Sequence, residues 1–224
     1  IGVPPCPGGI MAKNAFWRRS FSGWCEALDD WLSAPLPDNI LNSGMFFDLR
    51  TVYGDISLEK ALKQRLAEHF NKGSMFLTHS AANVNRFKPP LGLFGGIKAE
   101  HGEEHKGQVE IKKAGIFAIT EGVKALAMEA GIMNGGTRER IQSLVDKGVL
   151  KRKFADDLDA SYNFLVYLRL RCQVNEIRAG REPSNYITLS KLNHMEKGRL
   201  KLSFEEVNEF HEFLRVHFRV LLLL

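Results

Sequence analysis

The sequence predicts an α+β protein of two domains, residues 1–72 and residues 73–224, the second mainly an α-helical bundle with a small β-hairpin. Three observations lead to this fold class. Apolar residues recur at steps of three and four along most of the chain, which indicates amphipathic helices. Residues 44–55 alternate instead, as a strand does. The Lys72-Gly73-Ser74 stretch separates two helical patterns and marks the domain boundary.

The first domain is predicted to hold two helices around one strand. The first helix runs from about Asn14, its predicted N-cap, to Ser33, and it ends before Pro35. The second is predicted to begin at a Ser57 cap and to end near Asn71. The apolar stripe of the first helix consists of Trp17, Phe21, Trp24, Leu28 and Trp31.

Residues 44–55, GMFFDLRTVYGD, are predicted to form a short buried strand. Alternation places Asp48 and Arg50 on the same face of it. An acid and an arginine on a buried face either pair with each other or serve a functional site, and both interpretations remain open. Asp55 is predicted to be a turn residue.

The second domain is predicted to be helical on both sides of a hairpin. The hairpin strands are residues 91–99 and 108–112, joined by the polar loop 100–107. The last helix is predicted to open with a capping box at Ser203-Phe204-Glu205-Glu206. The other predicted helices cover residues 75–87, 113–130, 137–147 and 154–179.

Composition limits the class of protein. The chain has 224 residues, 44% hydrophobic and 25% charged, as in an ordinary globular protein. The net charge of +5 lies wholly in residues 73–224, and it is too small to predict nucleic-acid binding. Three cysteines without a CxxC pair predict neither disulfides nor a zinc site and suit the cytoplasm. No apolar run is long enough to span a membrane.

Several polar residues are candidates for ligand binding. Gly8 and Gly9, with Lys13 nearby, could form a backbone nest for phosphate, although a glycine pair before a helix is commonly only a turn. Arg138 and Arg140 lie near a helix start beside Gly135-Gly136 and are candidate contacts for a phosphate or an acidic substrate, although charges at such positions are commonly only exposed helix residues.

A polar line is predicted on the longest helix. Arg169, Gln173 and Glu176 follow at helical steps, on a helix that is apolar on every side over residues 164–168. Buried polar groups must be satisfied, either within the protein or by a ligand. Arg169 and Gln173 are therefore candidate substrate-binding residues.

Several segments resemble a known family. CPGGIMAKNAFWR (6–18) and FFDLRTVYGD (46–55) resemble the C-terminal half of a bacterial nucleotidyltransferase domain related to the protein-PII uridylyltransferases. The remainder resembles the helical substrate-binding domain that accompanies it. The matching segments there are PPLGLFGG (89–96), EHKGQVEIK (104–112), TRERI (137–141), YLRLRCQ (167–173) and LSKLNHMEKGRLKLSF (189–204).

This resemblance implies a DNA polymerase beta-like fold for the first domain and transfer of a nucleoside monophosphate with Mg²⁺. It implies that Asp48 is the third catalytic and metal-binding carboxylate and that Arg50 contacts a phosphate. The Gly-Ser and Asp-x-Asp motifs that such chemistry needs are expected before Ile1, in a longer protein. This chain alone is therefore expected to be inactive.

The resemblance also implies partners. These are a nucleoside triphosphate, a protein or small-molecule acceptor, and CBS or cyclic-nucleotide-binding domains upstream in the same protein. An alternative function remains open, in which the chain is a non-catalytic ligand-binding module of a signal-transduction protein.

Overall fold

The structure is a computed structural model that describes residues 8–70, 74–92 and 95–220. It divides into two compact units, residues 1–69 and 70–224. The predicted boundary at Lys72-Gly73 lies outside the described residues, three positions from this division.

The regular secondary structure in the described part of the first unit is all helical. A three-residue 3-10 turn, Ala15–Trp17, precedes helices α1 (Phe21–Ser33), α2 (Pro37–Phe47) and α3 (Ile56–His69). Asn14 caps the 3-10 turn and Ser20 caps α1, each by accepting a backbone N–H on its side-chain oxygen. The long helix predicted from Asn14 is therefore two elements. Asp55 accepts the backbone N–H of Ser57 at 2.8 Å near the start of α3, as a turn residue does.

The core of this unit is aromatic. Trp24 of α1 lies 4.7 Å from Phe46 of α2 between ring centroids, and Trp31 lies 6.3 Å from the same ring. Helix α3 adds Leu62 and Leu66, which are both buried. Of the predicted stripe, Leu28 and Trp31 are confirmed as buried and Trp24 is half-buried, whereas Phe21 is 44% exposed and Trp17 lies in the 3-10 turn before α1.

The strand predicted at residues 44–55 is wrong. Residues up to Phe47 belong to α2, and residues 49–55 are an irregular segment. Alternation would put Phe46 and Phe47 on opposite faces, but both are buried, as neighbours on one broad helix face can be. Val52 and Tyr53 are 87% and 99% exposed. Helix α2 begins at Pro37, whose fixed φ favours the first turn of a helix. This helix continues through Phe47, so the alternating residues that follow Gly44 do not form a strand.

The second unit is a helical bundle with a two-stranded antiparallel ribbon, β1 (Gln108–Glu110) and β2 (Tyr186–Thr188). A π-helical turn, Lys112–Phe117, leads from β1 into α5. The predicted helices of this unit are confirmed, with ends shifted by a few residues except at the start of the last one. They are α4 (Met75–Asn85), α5 (Ala118–Glu129), α6 (Thr137–Asp146), α7 (Arg152–Arg178) and α8 (His194–His217).

The predicted hairpin is wrong in its pairing. Strand β1 pairs with β2, with Val109 opposite Ile187, and both of these side chains are buried. Leu91 instead forms an isolated antiparallel bridge with Ile97, and the Gly92 N–H donates to the Gly96 carbonyl at 2.7 Å. Glu100 bonds to the segment of β1, because its N–H donates to the Gln108 carbonyl and its carbonyl accepts the Gly107 N–H.

The last helix begins nine residues before the predicted capping box. Asn193 caps it, accepting the Glu196 N–H at 2.9 Å while Glu196 accepts the Asn193 N–H at 3.0 Å. Ser203 lies inside α8 and is buried. Its Ser-x-x-Glu pattern is therefore a chance match. Val207, Phe210, Leu214 and Phe218 recur at helical steps along this part of the chain, and all four are buried.

Within the described residues, no helix combines the length and the apolar character needed to cross a membrane.

Candidate functional site

Two clefts of the second unit lie beside the ribbon. The first, here called the α4 cleft, has a volume of about 350 Å³ and lies between the segment after α4, strand β1 and the start of the π-helical turn. Its charged side chains are four cations, Arg86, Lys88, Lys98 and Lys113, and two acids, Glu100 and Glu110.

The cations of the α4 cleft are available to a ligand. All four residues are exposed, and among the described residues none of them forms an ion pair with a carboxylate. Of the two acids, Glu110 accepts the backbone N–H of Lys113 at 2.7 Å. A cleft with more cations than acids concentrates anions from solution.

The second cleft, here called the α7 cleft, has a volume of about 320 Å³ and lies between α7, β2 and the start of α8. It has both charges and a half-buried cysteine. Its lining includes Arg171, Cys172, Glu176, Arg181, Lys191 and Glu196.

The acids of the α7 cleft are already engaged. Glu196 pairs with Arg171, and this hydrogen bond is the main reason that the pKa of Glu196 is lowered. Glu176 accepts the backbone N–H of Ser184 at 2.8 Å. Partial burial raises the pKa of Cys172, so that its thiol stays protonated and is a poor nucleophile.

Tyr186 of β2 lines both clefts. Its ring stacks on His105 at a centroid distance of 3.5 Å and an interplanar angle of 11°. Burial, helped by Glu110 and Glu100, raises the pKa of Tyr186, which keeps the phenol protonated as a hydrogen-bond donor. The two clefts therefore share one wall.

The polar line predicted on α7 forms hydrogen bonds with the residues that lead into β2, the strand that carries Tyr186. Arg169 Nε donates to Asn185 Oδ1 at 2.8 Å, and Gln173 Nε2 donates to the Ser184 carbonyl at 3.0 Å. These bonds, with that of Glu176, fix the two residues before β2. Of the three, Glu176 alone lines a cleft. Substrate binding by Arg169 and Gln173 stays a prediction.

The two arginines of α6 lie elsewhere. Arg138 pairs with Asp159 of α7 through two hydrogen bonds of 2.7 and 2.8 Å. Arg140 is 5% exposed. Neither lines either cleft, so their predicted role in substrate binding has no geometric support beyond their charge.

The candidate residues of the first unit lie on its surface. Asp48 is the exposed C-cap residue of α2, and Arg50 is exposed in the segment that follows. Gly8 and Lys13 are exposed as well, and the Gly9 carbonyl accepts the Asn14 side chain at 3.1 Å. The helix after this turn has three residues, so it adds little dipole to a phosphate nest.

The described residues do not fit a complete Mg²⁺ site. Magnesium takes oxygen ligands in octahedral geometry, and phosphoryl transfer with two metals needs several carboxylates close together. Among the described residues, no three His, Cys, Asp or Glu side chains are grouped to hold a metal ion. Asp48 can be at most one member of such a site.

The cleft cations were missed by sequence reasoning, although the signal was partly visible. The segments that carry the family resemblance supply half of the α7-cleft lining, from residues 167–173 and 189–204. In the α4 cleft they supply only Pro90, Val109 and Glu110, and none of its four cations. Segment 137–141 lines neither cleft.

A helical unit with two charged clefts beside a ribbon has the features of a ligand-binding domain. A family model described as putative nucleotidyltransferase substrate binding domain matches residues 74–218, and the chain belongs to this family. A second model, described as putative nucleotidyltransferase, matches residues 1–38. These two ranges leave residues 39–73, and with them Asp48 and Arg50, outside both. No curated protein and no solved structure matches the chain.

Proposed function

We propose that this chain is part of a cytoplasmic nucleotidyltransferase that moves a nucleoside monophosphate from a nucleoside triphosphate to a hydroxyl group. The acceptor is a protein or a small molecule, as in the protein-PII uridylyltransferases that the sequence resembles. The match of residues 74–218 to a substrate-binding domain carries this proposal. CBS or cyclic-nucleotide-binding domains upstream, and a role in signal transduction, belong to the same proposal.

Acceptor binding and catalysis are assigned to different units because their side chains differ. The second unit has clefts with charged and hydrogen-bonding side chains, which suit the binding of a polar substrate. We assign acceptor binding to this unit, with Arg138, Arg140, Arg169 and Gln173 as further candidates. Catalysis is assigned to the transferase domain of which residues 1–72 are the last part.

Asp48 is proposed as one catalytic carboxylate, with Arg50, Lys13 and the Gly8-Gly9 turn facing the nucleotide phosphates. The resemblance of residues 46–55 and the exposure of Asp48 support this role. The remaining acids for Mg²⁺ have to come from the upstream motifs. The described residues offer too few carboxylates for a metal-dependent step to be followed further.

The test is a transfer assay on the natural protein that contains this chain. It is incubated with Mg²⁺, a cell extract as the acceptor source, and each of the four α-labelled nucleoside triphosphates in turn. We expect label in an acid-stable product, and a loss of roughly a hundredfold or more in rate for Asp48→Ala.

The matched control for this assay is Asp30→Ala, which removes another exposed acid of the same unit. It should leave the rate unchanged. Full activity in Asp48→Ala would remove Asp48 from the site, and absence of transfer with every nucleotide would exclude the transferase function.

A second candidate is a non-catalytic ligand-binding module in a signal-transduction protein. The two clefts favour it, because they need no metal and lie wholly within the second unit. Ligand binding without transfer by the natural protein is the result that would select this function.

A further inference from the structure

We propose that the α4 cleft binds the phosphate groups of a small molecule, with Arg86, Lys88, Lys98 and Lys113 as the cations that recognise them. This site goes beyond the proposed function, because anion binding can be measured whether or not the protein transfers nucleotides. The donor nucleotide and a phosphorylated acceptor share this chemistry.

Cations from three separate segments line the α4 cleft. Arg86 and Lys88 follow α4, Lys98 lies between them and β1, and Lys113 lies in the π-helical turn after β1. Folding therefore brings positive charges from distant parts of this unit to one concavity. An anion bound there would reduce the repulsion among them.

Within the described residues, no carboxylate forms an ion pair with the cations of the α4 cleft. Where other cations of this unit lie close to acids, they pair with them, as Arg138 does with Asp159 and Arg171 with Glu196. The four cations of the α4 cleft form no such pair in the described part of the chain, although two glutamates line the same cleft. Glu110 already accepts the Lys113 N–H.

The side chains that line the α4 cleft are of types that bind phosphate groups. Lysine binds phosphate as a point charge, and arginine adds directed N–H donors. Tyr186 adds a phenol that stays protonated and can donate a hydrogen bond. The volume of about 350 Å³ falls within the range for small-molecule sites, and Phe87 and Pro90 provide apolar surface for the rest of the ligand.

Lys88 also lies close enough to α8 for its charge to contribute, after burial, to lowering the pKa of the buried His211.

The experiment is isothermal titration of the 224-residue chain with pyrophosphate, ATP, ribose 5-phosphate and uncharged ribose. We expect the phosphorylated probes to bind and ribose not to bind. Raising the salt concentration should weaken binding, because partly exposed charges are screened. Tighter binding of ATP would indicate the donor nucleotide as the source, and tighter binding of ribose 5-phosphate would indicate a phosphorylated acceptor.

The decisive comparison uses two double variants with the same change of net charge. Lys98→Gln with Lys113→Gln should weaken binding by roughly tenfold or more, since each charge-assisted hydrogen bond is strong. Lys147→Gln with Lys197→Gln, two exposed lysines away from the cleft, should leave it unchanged. Equal weakening in both variants, or no binding of any phosphorylated probe to the wild-type chain, would overturn the proposal. Unchanged thermal unfolding would show that the variants are folded.

Discussion

Gly122→Ala is expected to destabilise the second unit by about 2 kcal/mol, one of the largest effects of a single methyl group in this chain. A Cβ atom at this position of α5 would lie 2.5 Å from Phe210 Cε1 and 2.6 Å from Leu214 Cδ1 of α8. Cβ atoms essentially never lie this close to other atoms, so these two side chains or one of the two helices would have to move.

The neighbours of Gly122 cannot yield easily. Phe210 and Leu214 are fully buried, and the Phe210 ring packs against Phe154 and Phe213. The overpacking cost exceeds the gain of about 1 kcal/mol that alanine brings over glycine within a helix. The close approach of α5 to α8 therefore depends on the missing side chain.

Gly198→Ala is the matched control. Gly198 lies in α8, and its Cβ would meet no atom within 4 Å. Helix propensity alone then acts, and this variant should be more stable than the wild type by about 0.5–1 kcal/mol. Urea unfolding of both variants checks the pair. Equal stability of the two would contradict the described packing of α5 on α8.

His211 is expected to make the stability of the second unit depend on pH between about 6.5 and 4. This side chain is 2% exposed, and its Nε2 has no hydrogen-bond partner within the described residues. Burial, followed by the charge of Lys88, lowers the pKa of His211 from 6.5 to about 4, against a smaller opposing effect of Glu212.

The direction follows from the lowered pKa of the folded state. Above pH 6.5 the imidazole is neutral in both states, and the full stability is present. As the pH falls towards 4, only the unfolded chain gains a proton at this position, so the free energy of unfolding decreases. The total loss from this residue is about 3 kcal/mol.

His211→Leu should remove this part of the pH dependence, whereas His194→Gln, which changes an exposed histidine at the start of α8, should not. Urea unfolding at pH 7, 6 and 5 measures the difference. A wild-type slope that persists unchanged in His211→Leu would show that other groups account for the acid sensitivity.

The helices of the second unit could be predicted from the sequence because their apolar residues keep a helical period and turn residues bound them. The strand at residues 44–55 could not be excluded, since Phe46-Phe47 fits either period when neighbours are unknown. The pairing of β1 with β2 joins residues 76 to 80 positions apart, and nothing local in residues 108–110 specifies that partner. Two capping-box patterns, Asn193-x-x-Glu196 and Ser203-x-x-Glu206, occur near the last helix. The first one caps α8, and Ser203 is buried inside this helix.

The candidate site was predictable only in part. The polar line Arg169, Gln173 and Glu176 was visible as a helical repeat, and it does lie beside the ribbon. The α4 cleft could not be predicted, because its four cations come from three segments that lie close together only in the folded chain. The sequence also does not show which charged residues pair with each other. Arg138 and Asp159 form an ion pair although they lie on different helices, α6 and α7.

Hydrogen exchange of the 224-residue chain, with and without saturating pyrophosphate, tests most directly whether the second unit holds the ligand. We expect slower exchange in peptides from residues 86–92, 95–100 and 107–114, and no change in α6. Protection confined to residues 8–34 would place the phosphate at the Gly8-Gly9 turn and Lys13 instead, and would contradict the assignment of ligand binding to the α4 cleft.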